Sequence, residues 1–465
     1  MLDRRQFVIS KKKIEYKDFE SLQLSNGWLT YHKDLHIQIQ KDLSGQEWLL
    51  IGNAYIADQC GIFADEDIAT TLTEDLKSRT FFWSGRWILI GANQILTDAV
   101  GSLGLYYTDM AADWLISSSL HILYELNSER YSSYEKKVII HDRVKAFPAP
   151  DTFLKDIYKL LPTQKILFEN GEARIVFDNK YKNLVSIEEK TEELARYIEN
   201  IILNACQKKV AVALTSGYDS RVLLAVLLKN KFNFTSFTMQ HSSISKGDRE
   251  IPEKMARDFG FSHTYIKKKK KNKNRENIFY VHTFYTLEET DKEFYINGQF
   301  DGLDADTTVL KGGILDMIRG SSMSICKTSE EMKDILIEDK IVNLKKSLSK
   351  WLRWIDNYPI DMDIRDRFTI EQHLGGWLAN LQQFTDLLDA EYLQVCNCAA
   401  IISLLCSYTE KERKSKKEYQ KLYQIIYPEV MKYPINPKDS LSIFRYYLNV
   451  VRKEPSRVIR RMLKK

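Results

Sequence analysis

From about Trp28 to about Val176 apolar and polar positions alternate in short runs: "EWLLIGNAYI" (47–56), "GRWILIGANQILTD" (85–98), "LGLYYTD" (103–109), "DWLISSS" (113–119) and "QKILFENGEARIVF" (164–177). A two-residue rhythm that closes on Asn, Asp or Gly predicts strands joined by tight turns. Short helical pieces fit between Asp65 and Lys77 and from His121 to Glu125. After Tyr181 the rhythm changes. "SIEEKTEELARYIENIILNAC" (186–206) sets Ile187, Leu194, Tyr197, Ile198, Ile201 and Ile202 on one helical face, and Ser186 with Glu189 reads as a capping box. Strand and helix then alternate: strand Val210–Leu214, helix Arg221–Lys229, strand Phe234–Met239, helix from about Asp248 to Phe259, strand His263–Lys267 and a later strand Thr307–Leu310. Such alternation predicts a parallel sheet covered by helices on both faces. From about Ser329 onward, periodic segments such as "TIEQHLGGWLANLQQFTDLLDAEYL" (369–393) predict helices. The expected organisation is two domains, residues 1–183 and 184–465, the first β-rich and the second α/β with a helical C-terminal part.

Bulk properties narrow the function classes. A chain of 465 residues exceeds the usual span of one core, and its 44% hydrophobic and 28% charged residues suit folded domains. The net charge of +5 is too mild for a nucleic-acid binder, which needs a concentrated basic face. No apolar span approaches membrane length, and "MLDRRQFVISKKKIEYKD" lacks the apolar core of a secretory signal, so a cytoplasmic protein is expected. Six irregularly spaced cysteines suit reduced thiols. Cys396 and Cys398 have no second pair or nearby His to complete a metal site. The basic run "KKKKKNKNR", Lys267 to Arg275, reads as a solvated loop, with an anionic partner as the alternative.

The stretch "VAVALTSGYDSRVLLAVLL" (210–228) carries the candidate chemistry. A strand that turns straight into a helix leaves the first helical N–H groups unpaired and the positive dipole end outward, an arrangement that an anion satisfies. Thr215 and Ser220 offer hydroxyls, and Gly217 lets the backbone approach a ligand. Asp219 would repel phosphate unless a cation lay between, which suggests Mg2+ and a nucleotide triphosphate. The plainer alternative is a turn with a helix cap. Neither a Walker loop nor a Gly-x-Gly-x-x-Gly turn is present.

Thr-Ser-Gly-Tyr-Asp-Ser (215–220) resembles the pyrophosphate loop, Ser-Gly-Gly-x-Asp-Ser, of the N-type ATP pyrophosphatases. "GDREIPEKMARDFGFSHTYI" (247–266) looks like the Asp-led helix and following strand of asparagine synthetases, and "TTVLKGGILDMIRGSSM" (307–323) is similar to their second loop. "GRWILIGANQILTDAVGSLGLYYTD" (85–109), "WLISSSLHIL" and "DIYKLLPTQKILFENGE" resemble the later part of a class II glutaminase domain. The chain thus resembles the asparagine synthetase-like family. That resemblance implies an Ntn-hydrolase-like sandwich followed by a doubly wound parallel sheet of the adenine nucleotide alpha hydrolase type. It also implies ATP and Mg2+ as cofactors, with Asp219 and Asp316 as catalytic metal ligands. The nucleotide contacts would be Leu214, Thr215, Ser216, Gly217, Tyr218, Asp219, Ser220 and Gly312, with Thr238 and Met239 meeting adenine. Asp248 either contributes or caps its own helix. Lys432 and Lys438 are candidates for a late basic residue on the transition state.

Departures from the pattern shape the expected activity. Class II glutaminases use an N-terminal cysteine at residue 2, where this chain has Leu2, so the first domain is expected to be a scaffold as in the β-lactam synthetase branch. Gly313 stands where asparagine synthetase has Glu, Met317 replaces an acidic residue, and Ser216 adds a Cβ in a crowded turn. The expectation is an AMP- and pyrophosphate-forming amide ligase acting on a small-molecule, peptide or glycan-precursor carboxylate with an amine donor. It would need no nucleic acid or membrane span, and a homodimer is left open. A lasso-cyclase type macrocyclase and a non-catalytic nucleotide- or partner-binding homologue are the alternatives. Asp386, Asp389 and Glu391 are expected on a polar helix face, and His241 and His263 in local hydrogen bonds.

Overall fold

The computed structural model describes residues 2–42, 44–59, 76–108, 113–129, 144, 146–184, 186–240, 244–267, 269–270, 272–287, 295–296, 298, 301–320, 330–332, 334 and 342–437. Of the helix expected between Asp65 and Lys77, residues 65–75 lie outside these residues, as do His241 and Lys438; a short helix does cover Leu76–Thr80.

The alternating runs form two antiparallel sheets. In chain order the strands are β1 (Phe7–Ser10), β2 (Phe19–Leu24), β3 (Gly27–His32), β4 (Ile37–Lys41), β5 (Glu47–Ile56), β6 (Trp83–Ile90), β7 (Gln94–Thr97), β8 (Tyr106–Tyr107), β9 (Leu115–Ser117), β10 (Tyr158–Lys159), β11 (Gln164–Glu169) and β12 (Glu172–Phe177). One sheet runs β10-β8-β9-β1-β3-β2 and the other β12-β11-β7-β6-β5-β4. Period-two patterning decides which side faces inward. Leu49, Ile51, Ile88 and Ile90 meet Phe7, Ile9, Leu29 and Ile116 of the other sheet in one buried cluster. Their chain neighbours Trp48, Leu50, Trp87 and Leu89 form a second cluster on the opposite face. The β11–β12 hairpin turns at Asn170 and Gly171, whose φ of 53° and 80° suit the Asn-Gly pair that tight hairpins favour.

The remaining five strands are parallel: β13 (Lys209–Ala213), β14 (Phe234–Gln240), β15 (Ser262–Lys267), β16 (Thr307–Lys311) and β17 (Glu391–Gln394), in the order β15-β14-β13-β16-β17. Both faces are covered. Val210, Val212 and Leu310 pack with Leu223, Leu224 and Leu227 of the helix Asp219–Lys229, whereas Ala211 and Val309 pack with Phe279 and Phe384. From β13 the chain builds outward to β15, then crosses back to β16 on the other side of β13. The carboxyl ends of β13 and β16 therefore flank a topological switch point, where ligand crevices form in open α/β sheets. No helix among the described residues is long and apolar enough to cross a membrane.

Three local expectations change. The helix expected from Ser186 starts at Lys190 with Glu189 as its N-cap and no side-chain cap bond, so there is no capping box. The segment 369–393 is not one helix. It forms a π-helix (Thr369–Leu378), a short α-helix (Ala379–Thr385) and then β17, because "EYLQ" (391–394) gains four parallel pairings with β16, Thr308↔Glu391 to Lys311↔Gln394. The run 267–275 is not wholly loop: Asn272 caps a helix that begins at Lys273, and Arg275 pairs with Asp301 at 2.7 Å.

Asp386, Asp389 and Glu391 are consequently not on a polar helix face. Asp386 is buried, bonded to Arg86 (Nη2 2.9 Å) and Gln6 (2.7 Å), and Glu391 accepts from Asn53 (2.7 Å) and Tyr55 (3.1 Å). Both tie the antiparallel layers to the parallel sheet. Asn397 does the same, donating to Gly85 O (2.6 Å) and Asp98 (2.9 Å), while its neighbours Cys396 and Cys398 are buried free thiols.

Lys159 adds a titratable link. Its Nζ lies 3.2 Å from Asn380 Oδ1, and burial pushes its ammonium down to about 7. Between about 7 and the ordinary lysine value the unfolded chain holds a proton that the folded chain does not, so stability rises with pH through that window. Lys159→Met should remove this part of the slope, at most about 1.4 kcal/mol per pH unit. Urea unfolding at about pH 7 and about pH 9 checks it, the wild type gaining on the variant as pH rises. A constant gap would refute the assignment.

Candidate functional site

The first turn is built on a buried stem. Leu214 directly follows β13, its N–H donating to Phe237 O (2.9 Å) and its carbonyl accepting from Thr238 Oγ1 (2.6 Å). Beyond it, the Thr215 and Ser220 hydroxyls meet at 3.0 Å, Thr215 N–H donates to Ser220 Oγ (3.2 Å), and Gly217 N–H donates to Thr215 Oγ1 (3.1 Å). Both hydroxyls expected to face a ligand thus converge on one spot. Tyr218, at the N-cap of the helix Asp219–Lys229, makes no side-chain cap bond, so the helix start keeps its outward N–H groups.

Ser216 resolves the crowding expected of its Cβ. The residue is buried, and its N–H and hydroxyl both donate to Asp248 Oδ1, at 2.7 and 2.8 Å. Asp248 is therefore a clamp on this turn; the cap of its helix is Ser245, whose Oγ accepts from Asp248 N–H (3.0 Å). Asp248→Ala leaves two buried donors of Ser216 unpaired and should cost about 1–3 kcal/mol in chemical denaturation. A change within error of zero would show that the clamp does nothing.

Arg221 is the residue the sequence motif does not announce. It is fully buried, and its guanidinium donates to the carbonyls of Tyr433 (2.6 Å), Pro434 (2.9 Å) and Ser216 (3.2 Å). Asn436 N–H also reaches Ser216 O (3.1 Å). These bonds fasten the segment after the 3-10 helix Pro428–Lys432 against the turn, which places Lys432 on an element held beside it. Among the described residues Arg221 makes no ion pair, so its charge, under the turn, adds to the positive end of the helix.

The second turn follows β16. A Cβ on Gly312 would come within 3.1 Å of the Asp219 Cβ and carbonyl oxygen, so glycine lets the two turns touch. Gly313–Arg319 then forms a 3-10 helix that carries Asp316. Arg319 joins the two sides: its guanidinium pairs with Asp316 and lies 3.6 Å from Asp219 Oδ2, while resting over the rings of Tyr218 (5.6 Å) and Tyr419 (6.0 Å). The single Tyr419 O–H lies between two acceptors, Asp219 Oδ1 and Leu315 O (3.0 Å), bridging the turns a second time. Burial pushes the Asp219 carboxyl up to about 6, opposed by the Tyr419 hydroxyl and Arg319 and reinforced by the charge of Asp316. Asp219 and Asp316 thus face one cationic group, a pair of hard oxygen donors of the kind that binds Mg2+ together with phosphate oxygens. No group of three or more His, Cys, Asp or Glu able to hold a metal occurs among the described residues.

Other candidates are placed less centrally. The ladder between β13 and β14 ends at Ala213↔Phe237, and β14 runs on through Thr238 and Met239 to Gln240, so those residues turn one backbone edge past the end of β13. Thr238 itself is buried with its hydroxyl on Leu214 O. His263 is held by Ser236 Oγ (2.7 Å) and Thr238 Oγ1 (3.4 Å), and burial lowers its pKa.

No family model and no curated protein matches the chain. Among solved structures it is similar to the allosteric regulatory enzyme of purine biosynthesis, with 9% identity and a TM-score of 0.24 over 62% of this chain and 73% of the other. A glutamine-dependent NAD+ synthetase from Acinetobacter baumannii, in complex with adenosine diphosphate, is similar at 12% identity and a TM-score of 0.21 over 72% and 69% of the two chains. At such TM-scores neither likeness carries an argument about fold or chemistry.

Proposed function

We propose that the chain is an ATP-dependent amide ligase that releases AMP and pyrophosphate and has no glutaminase activity, with residues 1–183 serving as a scaffold for a synthetase unit in 184–465. The observation that carries this reading is the meeting of Asp219 and Asp316 at one cation, beside an uncapped helix start, at the switch point of a parallel sheet. In this reading a substrate carboxylate oxygen attacks the α-phosphorus of ATP and pyrophosphate leaves. An amine nitrogen then attacks the resulting acyl-adenylate carbon, AMP departs, and the amine loses a proton. Thr215, Gly217 and Ser220 hold the leaving pyrophosphate with the N–H groups of the helix start, which are aimed before reaction begins. Arg221 keeps that turn rigid from below, and the free edge of β14 at Thr238 and Met239 receives the adenine. Asp219 and Asp316 would hold Mg2+, which when bound there offsets charge on the polyphosphate.

Gly313 supports a second reading. A side chain there would face Gln394 Oε1, 3.3 Å from its Cβ, yet glycine supplies no base for the amine step. A non-catalytic nucleotide-binding homologue accounts for that loss. Calorimetry with Mg2+-ATP and a pyrophosphate-release assay across candidate acids separate the two. Release with one acid supports the ligase, binding without release supports the homologue, and absence of binding overturns both.

A further inference from the structure

We propose that Arg319 is the resident cation of the two-aspartate crevice, and that a divalent ion enters only by displacing its guanidinium. The inference rests on the nucleotide reading for what accompanies the ion, but its geometry stands alone. Arg319 spans from Asp316 to within 3.6 Å of Asp219 Oδ2, so one planar fork serves carboxylates from two different turns. The aromatic faces of Tyr218 and Tyr419, 5.6 and 6.0 Å from the guanidinium carbon, support it from the side. Its Nε is buried with no hydrogen-bond partner among the described residues, so the side chain is placed for the carboxylates at some cost to itself.

A divalent ion held between the two carboxylates would sit within a few ångströms of this guanidinium, where like charges repel strongly. The side chain has somewhere to go. Arg319 and Gly320 also line an adjoining cavity of about 230 Å³; its acids Asp363, Asp366 and Glu410 are already paired with Arg365, Arg413 and Lys414, so it offers the side chain space rather than a new partner. Gly320, at φ 113°, lies in backbone space that other residues rarely adopt, at the foot of any such swing. The pair is partly solvated, with 31% of the Arg319 and 58% of the Asp316 side chain exposed, and exposed ion pairs contribute little net stabilisation. The structure therefore assigns two stations to one guanidinium: across the aspartates when no metal is bound, and toward the cavity when one is.

Titration of the full chain with Mn2+ alone, followed by electron paramagnetic resonance, tests this without nucleotide. Arg319→Met should bind one Mn2+ about tenfold or more tightly than the wild type, in the range by which metal-site neighbours alter affinity. The gain should vanish in Arg319→Met combined with Asp219→Asn. Mg2+ should raise the melting temperature of Arg319→Met more than that of the wild type. If Arg319→Met does not fold, Arg319→Lys decides, since one ammonium cannot fork across both carboxylates and should give part of the gain. Equal or weaker Mn2+ binding in the variant that folds overturns the proposal. A gain in Mn2+ affinity with no ATP binding sinks only the nucleotide reading; ATP binding with no gain sinks only this one.

Discussion

Asp219→Ala and Asp316→Ala each lower pyrophosphate release from Mg2+-ATP by about 100-fold or more, the scale on which loss of one preorganised electrostatic contact acts. The expectation follows from their convergence: each carboxylate comes from a different turn, and both reach Arg319. Asp219 should be the more sensitive, since it also holds the Tyr419 hydroxyl and so one bridge between the turns. Asp389→Ala, at an exposed carboxylate paired with Arg4, is the control that should leave release unchanged. A coupled phosphatase assay on the full chain with a competent acid reads the effect. Full release in both aspartate variants would remove the ligase mechanism.

Arg221→Met lowers unfolding stability by about 1–3 kcal/mol for each buried carbonyl it leaves unpaired. The methionine fills similar volume but leaves the carbonyls of Tyr433 and Pro434 without their donor and Ser216 O with Asn436 N–H alone, and carbonyls left bare in a buried setting are costly. Loss of this anchor should also free the segment around Lys432 from the turn. Urea denaturation gives the first effect, and faster limited proteolysis near 428–437 gives the second. A variant within about 0.5 kcal/mol of the wild type, the scatter of neutral surface changes, would show that Arg221 is not the anchor.

The first turn was legible because its signals are local: a β-branched strand, small polar residues and an apolar helix succeed one another within twenty residues. The parallel strands from β13 to β16 were legible for the same reason. What binds the site from afar left no local mark. Tyr419 reaches Asp219 from a helix 200 residues away, and Arg319 looks like any charge ending a short helix until the crevice is seen. β17 was hidden inside a helical period because its four residues become a strand only through pairing with β16. Asp386 failed for a related reason: a polar residue at helical spacing reads as solvent-facing, but here Arg86 and Gln6 supply a buried partner from the other layer.

The contact at Gly312 has a consequence for how this crevice can vary. With the second turn lying directly on Asp219, neither jaw can be reshaped alone. Any bulkier residue at position 312 would wedge the jaws apart and shift both acids together. Changes in gape are therefore expected to arise farther out along the 3-10 segment, leaving that hinge point bare.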